Sequence, residues 1–366
     1  MASRGEIQEK ERRVRQLMER EGLDALAIST IHNFAWFTCG GNNYVGIAAE
    51  VGVATIVVTR DAKYIVCDNI EAGRIADEEV IGQGFGFRAC YWYEGKKDDL
   101  IREIAGGGVL GSDVPMNGAR NVSAALDVCR FVLTPDEIDR YKWIGRKTGE
   151  CLSLAAREIE PGMTEHEIAA VLDKHIRSNG LIPGLTLIAA DERISRYRHP
   201  IPTDKRLEHV VMLVTGARKW GLVLSATRMV HFGELSSELR RKHDAVAQVD
   251  AAFISSTKPG ARMGDILDRA VGVYDETGFG EEWKLHHQGG PTGYKGRDFR
   301  VYSGTDAIVA ENQAFAWNPS ITGTKTEDTI IATAGGPIIL SSTDDWPKVN
   351  IEVDGTVIER PDILVR

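Results

Sequence analysis

Four short stretches in the second half of the chain hold the side chains best suited to chemistry. The first is Arg196-Tyr197-Arg198-His199-Pro200, where the proline pushes His199 into an extended backbone and stands its ring off the chain. Imidazole titrates near neutral pH, so His199 can take a proton from water and return it to a leaving nitrogen. The second, Met212–Gly233, has the rhythm of a hairpin with Thr227-Arg228 near its end, and it holds no Asp or Glu although the chain has 53. The third is His286-His287, followed by Gln288-Gly289-Gly290-Pro291-Thr292-Gly293-Tyr294 and then Arg297. Adjacent residues on an extended segment point to opposite sides, so only one of these histidines is expected to face a site. The fourth joins Trp317-Asn318-Pro319 to Thr326-Glu327-Asp328-Thr329, where Glu327 and Asp328 also point apart. Each stretch has a plain structural reading too: a solvent histidine, an arginine bracing the fold, a solvated edge charge. Trp220 and Trp317 read as packing.

These residues need a scaffold. The first 130 or so alternate helix and strand: a charged helix over Glu9–Glu21, strands at Leu23–Ile28, Val53–Thr59, Lys63–Cys67 and from Val109, and an aromatic loop NFAWFTCGGNNYVG. Thr134-Pro135-Asp136-Glu137 is a capping pattern that opens a helix to Glu158, and Thr164-Glu165-His166-Glu167 opens another to Ser178. Hairpin-like segments follow, then helices from Ser236 to about Ser255 and after Gly264, and the last hundred residues are mostly strand and loop. The pattern predicts an α+β chain of two domains, 1–132 and 133–366, the first a smaller α/β unit.

Composition narrows the class. With 366 residues the chain exceeds the usual size of one core. A net charge of −9 and no basic stripe argue against nucleic acid as a partner. No apolar run is long enough for a membrane span and no apolar signal region opens the chain, so the expected setting is the cytoplasm. Five scattered cysteines (Cys39, Cys67, Cys90, Cys129, Cys151) predict reduced thiols and no zinc cluster.

The order and spacing of the four stretches resemble those of the pita-bread superfamily of methionine aminopeptidase, aminopeptidase P, prolidase and creatinase. RRVRQLMEREGLDALAIST with NFAWFTCGG is similar to the N-terminal domain of the prolidase and creatinase branch, and LTPDEIDRYKWIGRKTGE and IEPGMTEHEIAAVLD to the opening helices of its C-terminal domain. The resemblance implies a pita-bread C-terminal domain. It also implies five ligands for two metal ions, at the positions of Val214, Ser225, His287, Asn318 and Glu327. Only His287 and Glu327 keep a ligand side chain. Divalent ions need several anionic or imidazole donors converging on one point, so neither a metal nor another cofactor is expected.

Creatinase, which hydrolyses a C–N bond without an ion, supplies the precedent, and His199 matches its general base. The expected activity is therefore a metal-independent hydrolase or lyase of a small C–N-bonded, carboxylated or amino-acid-like substrate. His199, His287 and Glu327 are its candidate catalytic residues; Arg228, Asn318, Tyr294, Arg297 and Tyr44 its candidate substrate contacts. Arginine forks suit a substrate carboxylate, and Glu327 could hold an ammonium. Creatine itself fits poorly, because Thr227 stands where creatinase carries a glutamate. Two alternatives remain open: a non-catalytic module binding a peptide or protein, and an Xaa-Pro peptidase-type activity with a degenerate metal site. The resemblance further implies a homodimer, with the Gly40–Tyr44 loop near a neighbour's pocket.

Overall fold

The computed structural model describes residues 3–366. The chain divides into two units, Met1–Glu137 with Trp220–Leu222, and Ile138–Lys219 with Val223–Arg366.

In the N-terminal unit, α1 (Arg4–Glu21) begins where Ser3 Oγ accepts the Glu6 N–H, and ends at Gly22 in the left-handed region. The strands β1 (Ala25–Thr30), β2 (Val51–Thr59), β3 (Lys63–Asp68), β4 (Gly86–Cys90), β5 (Leu110–Ser112) and β6 (Arg120–Asn121) form one sheet in the order β4-β3-β2-β1-β5-β6. Its helices are α2 (Ile31–Phe37), α3 (Ala72–Arg74), α4 (Lys97–Ala105) and α5 (Ser123–Val128). Of the stretch expected as an aromatic loop, the first five residues belong to the helix α2, and those from Thr38 on are turn and loop. Phe34, Ala35, Trp36 and Phe37 are all buried in the helix, and that packing outweighs the modest helix propensity of aromatic residues. Deep in the unit, Lys10 lies 2.7 Å from Glu6 and 2.8 Å from Glu137.

The second unit takes in α6 (Pro135–Glu158) from Ile138 on and then α7 (Glu165–Ser178), whose Thr164 and Glu167 cap each other reciprocally. β7 (Ile182–Ala190), the short α8 (Glu192–Arg196), β8 (Val210–Lys219) and β9 (Leu222–His231) follow, then α9 (Ser237–Ser256) and α10 (Met263–Glu276). The C-terminal strands are β10 (Gly289–Thr292), β11 (Gln313–Trp317), β12 (Ser320–Ile321), β13 (Thr324–Lys325), β14 (Asp328–Ala332), β15 (Ile338–Ile339), β16 (Lys348–Val353), β17 (Thr356–Pro361) and β18 (Leu364–Val365). One sheet runs β18-β9-β8-β7 and another β10-β11-β14-β15.

Aromatic packing seats the second sheet on its helices. Trp317 stacks on Phe253 of α9 at 4.6 Å and on Phe315 at 5.7 Å, and its Nε1–H donates to Thr257 Oγ1 at 2.9 Å. Truncating such a residue to alanine costs roughly 3–5 kcal/mol. The sheet register then decides what meets what. Gly289 of β10 pairs with Trp317 of β11, which pairs with Asp328 of β14, so the residues beyond that end of each strand become neighbours. Those residues include His287, Asn318 and Glu327.

The five cysteines are free thiols. Among the described residues, no helix is long and apolar enough to cross a membrane.

Candidate functional site

Glu327 is the centre of the site. Its Oε2 accepts from Lys325 Nζ at 2.7 Å and from Thr227 Oγ1 at 2.9 Å, and its Oε1 accepts from Arg297 Nη2 at 3.0 Å. Lys325, the last residue of β13, and Glu327, just before β14, are both buried and lie on one side of the short link by the two-residue alternation of extended chain. Burial alone would raise the carboxyl's pKa, but Lys325 and Arg297 outweigh it and bring it down to about 2. Glu327 is therefore an anion that two cations already neutralise. The expectation that it could hold a substrate ammonium is corrected by these contacts, as is the reading of Glu327 and Asp328 as solvated edge charges.

The alternate residues of the same segment face a bracing network. Asp328 Oδ1 accepts from Arg228 Nη2 at 2.8 Å, Asp328 Oδ2 accepts from Arg360 at 2.6 Å, and Asp250 Oδ2 accepts from both Arg360 and Thr326. Arg228 also donates to the carbonyls of Thr227 and Ser341. Its guanidinium is thus spent on the fold, and the expectation that Arg228 contacts substrate gives way to a bracing role.

Beside the carboxylate stand three imidazoles. His199 Nε2 lies 3.2 Å from His286 Nε2, and the ring centres of His286 and His287 are 4.6 Å apart. The expected split of His286 and His287 to opposite sides does not occur. The strand ladder begins only at Gly289, so no regular pleat governs the pair, and Gln288 Nε2 ties back to the His286 carbonyl at 2.7 Å. His286 is buried, with Nδ1 3.3 Å from Ser320 Oγ. Arg198 fixes the loop that carries His199 by donating to Glu282 at 2.6 Å and to Thr322 at 3.0 Å. Burial first, and then the charge of Lys325, lowers the pKa of His199. Burial with the same surroundings takes His286 down to about 2, and burial with Arg297 takes His287 down to about 4. All three rings are neutral at pH 7.

Asn318 donates its N–H to the Gln288 carbonyl at 3.1 Å, and its Oδ1 is buried without a partner, as is Nδ1 of His287. Tyr294 is buried beyond the far end of β10. Tyr44 belongs to the other unit, where it is half-buried and its carbonyl accepts from Arg74 at 3.4 Å. Lys325 was absent from the residues that the sequence singled out, Thr227 and Ser320 were seen there without a role at the site, and His286 was set aside. The signal for Lys325 was there: in Lys325-Thr326-Glu327 the two charged residues lie two apart, on one side of an extended segment.

Residues 139–335 match the metallopeptidase family M24, and residues 11–140 match the creatinase/prolidase N-terminal domain. The chain belongs to family M24. An uncharacterized peptidase of Staphylococcus aureus strain MW2 is 23% identical over 84% of this chain and 94% of its own length. An Xaa-Pro dipeptidase from Bacillus anthracis superposes with a TM-score of 0.80 at 18% identity, over 98% of this chain and 100% of that one. The prolidase from Pyrococcus horikoshii gives 0.78 at 22% identity, over 92% and 99%. The fold is the α+β pita-bread arrangement.

The family's name implies metal, and the residues can be tested for fit. Val214 is buried in an apolar cluster with Leu187, Ala189, Met212 and Met229 and offers no donor. Ser225 and Asn318 are neutral, and the oxygens of Glu327 already face Lys325, Arg297 and Thr227. A paired-ion centre does not fit this donor set. The ligand nitrogens of His199, His286 and His287 lie within 4.8 Å of one another, a donor type that suits zinc. The fields of Lys325, Arg297 and Arg300 reach the same rings and oppose a divalent cation.

Proposed function

We propose that this M24 member hydrolyses the amide C–N bond of a small, carboxylated, peptide-like substrate, and that His199 moves the protons without a paired-ion centre. One observation carries the reading: three neutral imidazoles gather beside a carboxylate whose charge is balanced by side chains. The names of the relatives, peptidase and Xaa-Pro dipeptidase, support a peptide-type amide over a creatine-type amidine. They lend metal independence no support; that part rests on the donor set alone.

The proton path follows from the ring contacts. When His286 Nδ1–H donates to Ser320 Oγ, its Nε2 lone pair accepts the Nε2–H of His199, and His199 Nδ1 is left bare. That nitrogen takes a proton from water as the water oxygen bonds to the substrate carbonyl carbon. The C–N bond then breaks and the proton passes to the leaving nitrogen. In this reading Arg297, beyond its bonds to Glu327 and the Gly296 carbonyl, meets a substrate carboxylate through its unpartnered Nε–H, and the unpartnered Asn318 Oδ1 accepts from a substrate N–H. Pairing of two chains and a cytoplasmic setting belong to the proposal, the first by resemblance.

The test is a turnover screen of short peptides, Xaa-Pro dipeptides included, and N-acyl amino acids, in chelator. The expected result is hydrolysis by the native chain that falls at least about a hundredfold in His199→Ala. Turnover that requires added divalent ions, or that ignores His199→Ala, contradicts the reading.

A further inference from the structure

The charge around the three imidazoles is one-sided. Glu327 is met by Lys325 at 2.7 Å and Arg297 at 3.0 Å, so this triad alone carries an excess positive charge. Arg300 adds another: it is exposed and makes no ion pair among the described residues. The charges that act most strongly on His199 are those of Lys325, Glu327, Arg300 and Arg297, three cations to one anion. Glu282 is taken up by Arg198 and by the N–H and hydroxyl of Thr322.

A free dipeptide is a zwitterion, and its α-ammonium needs an anionic or carbonyl-rich cradle. The described residues at this cluster supply one carboxylate, already surrounded by three donors. An ammonium brought there meets two buried or half-buried cations, whereas a carboxylate meets a net positive charge and the one donor of Arg297 that its bonds to Glu327 and the Gly296 carbonyl leave without a partner, its buried Nε–H. The unpartnered Asn318 Oδ1 is an acceptor that suits the N–H of an amide, a group an N-acyl amino acid offers next to its carboxylate.

We infer that the substrate class is an N-blocked amino acid, anionic overall, with an acylated nitrogen in place of a free ammonium. This rests on the hydrolase reading above but separates from it experimentally. Arg300 is then a specificity-determining residue at the rim of the site: the Val301 N–H donates to the Gly289 carbonyl at 3.0 Å, which holds the neighbouring Arg300 close to the segment that follows the histidines, and Arg300 makes no ion pair among the described residues.

The test measures binding by calorimetry to the His199→Ala chain, which is not expected to turn ligand over. The probes are a panel of N-acetyl amino acids covering the natural side chains, each beside the dipeptide in which alanine replaces the acetyl group. At least one N-acetyl compound is expected to bind about tenfold or more tighter than its dipeptide. Arg300→Gln should reduce that ratio and Arg300→Glu should abolish or invert it, both with unchanged melting temperature. Equal or tighter binding of the dipeptides, or no binding by any N-acetyl compound, overturns the inference. Preferential N-acetyl binding without turnover by the native chain would leave the inference standing and remove the hydrolase reading. Turnover confined to free dipeptides would do the reverse.

Discussion

Lys325 Nζ lies 2.7 Å from Glu327 Oε2, two residues along the buried segment that links β13 to β14, so a resident ammonium neutralises the carboxylate that a metallopeptidase of this family would offer to its ions. The positive charge at the centre of the site is built into the chain.

Removing one partner of a buried pair leaves the other charge stranded. Lys325→Met should therefore destabilise the fold by about 3 kcal/mol, with Arg297 retaining part of the compensation. Denaturant unfolding of the variant checks this, and a change within error of zero would mean that the pair is solvated.

Arg228 gives the opposite kind of test. Because its guanidinium is committed to Asp328, Ser341 and Thr227, Arg228→Met should cost about 3–5 kcal/mol of stability. The KM of the folded fraction should stay unchanged. A raised KM with normal stability would return Arg228 to the substrate contacts.

The pH profile of activity follows from the direction of the His199 shift. Burial, then Lys325, lowers its pKa from 6.5, so the acid limb of kcat/KM should lie below pH 6.5. Lys325→Met removes a cation that disfavours the imidazolium and should move that limb upward.

Stability has its own acid dependence. His243 is buried between Thr324 Oγ1 at 2.8 Å and the Pro361 carbonyl at 3.1 Å, and burial brings its pKa down to about 4. The unfolded chain binds that proton first, so the stabilisation is complete above pH 6.5 and is lost as pH falls from 6.5 toward 4. The loss attributable to His243 is up to about 3 kcal/mol. His243→Asn should flatten the stability curve over that window and lower it at pH 7. A native chain equally stable at pH 4.5 and 7 would contradict this.

Gly289 sets the strand that follows the histidines. Its φ is 105°, and a Cβ there would lie 2.2 Å from the Ala316 carbonyl oxygen. Gly289→Ala should push β10 off β11, costing more than about 2 kcal/mol and separating His287 from Asn318. Loss of turnover ahead of loss of fold, followed by near-ultraviolet circular dichroism, is the expected signature.

Much of this was legible in the chain. Caps such as Thr164 with Glu167 are local devices, and the helices they open lie where the letters put them. His199, His287, Asn318 and Glu327 were legible through order and spacing. What stayed hidden depends on the third dimension. Arg228 is a brace because Asp328 and Ser341 are folded onto it from a hundred residues away, and His286 joins His287 because the ladder starts two residues too late to part them. The helix at Ile31–Phe37 is carried by burial that no local propensity announces.

The central claim is tested most directly by titrating the chelator-treated chain with manganese, cobalt and zinc while counting bound ions by elemental analysis. The account predicts no high-affinity pair of ions per chain and turnover that persists in chelator. Two tightly bound ions per chain at the Val214, Ser225 and Glu327 positions, with activity that tracks their occupancy, would contradict it.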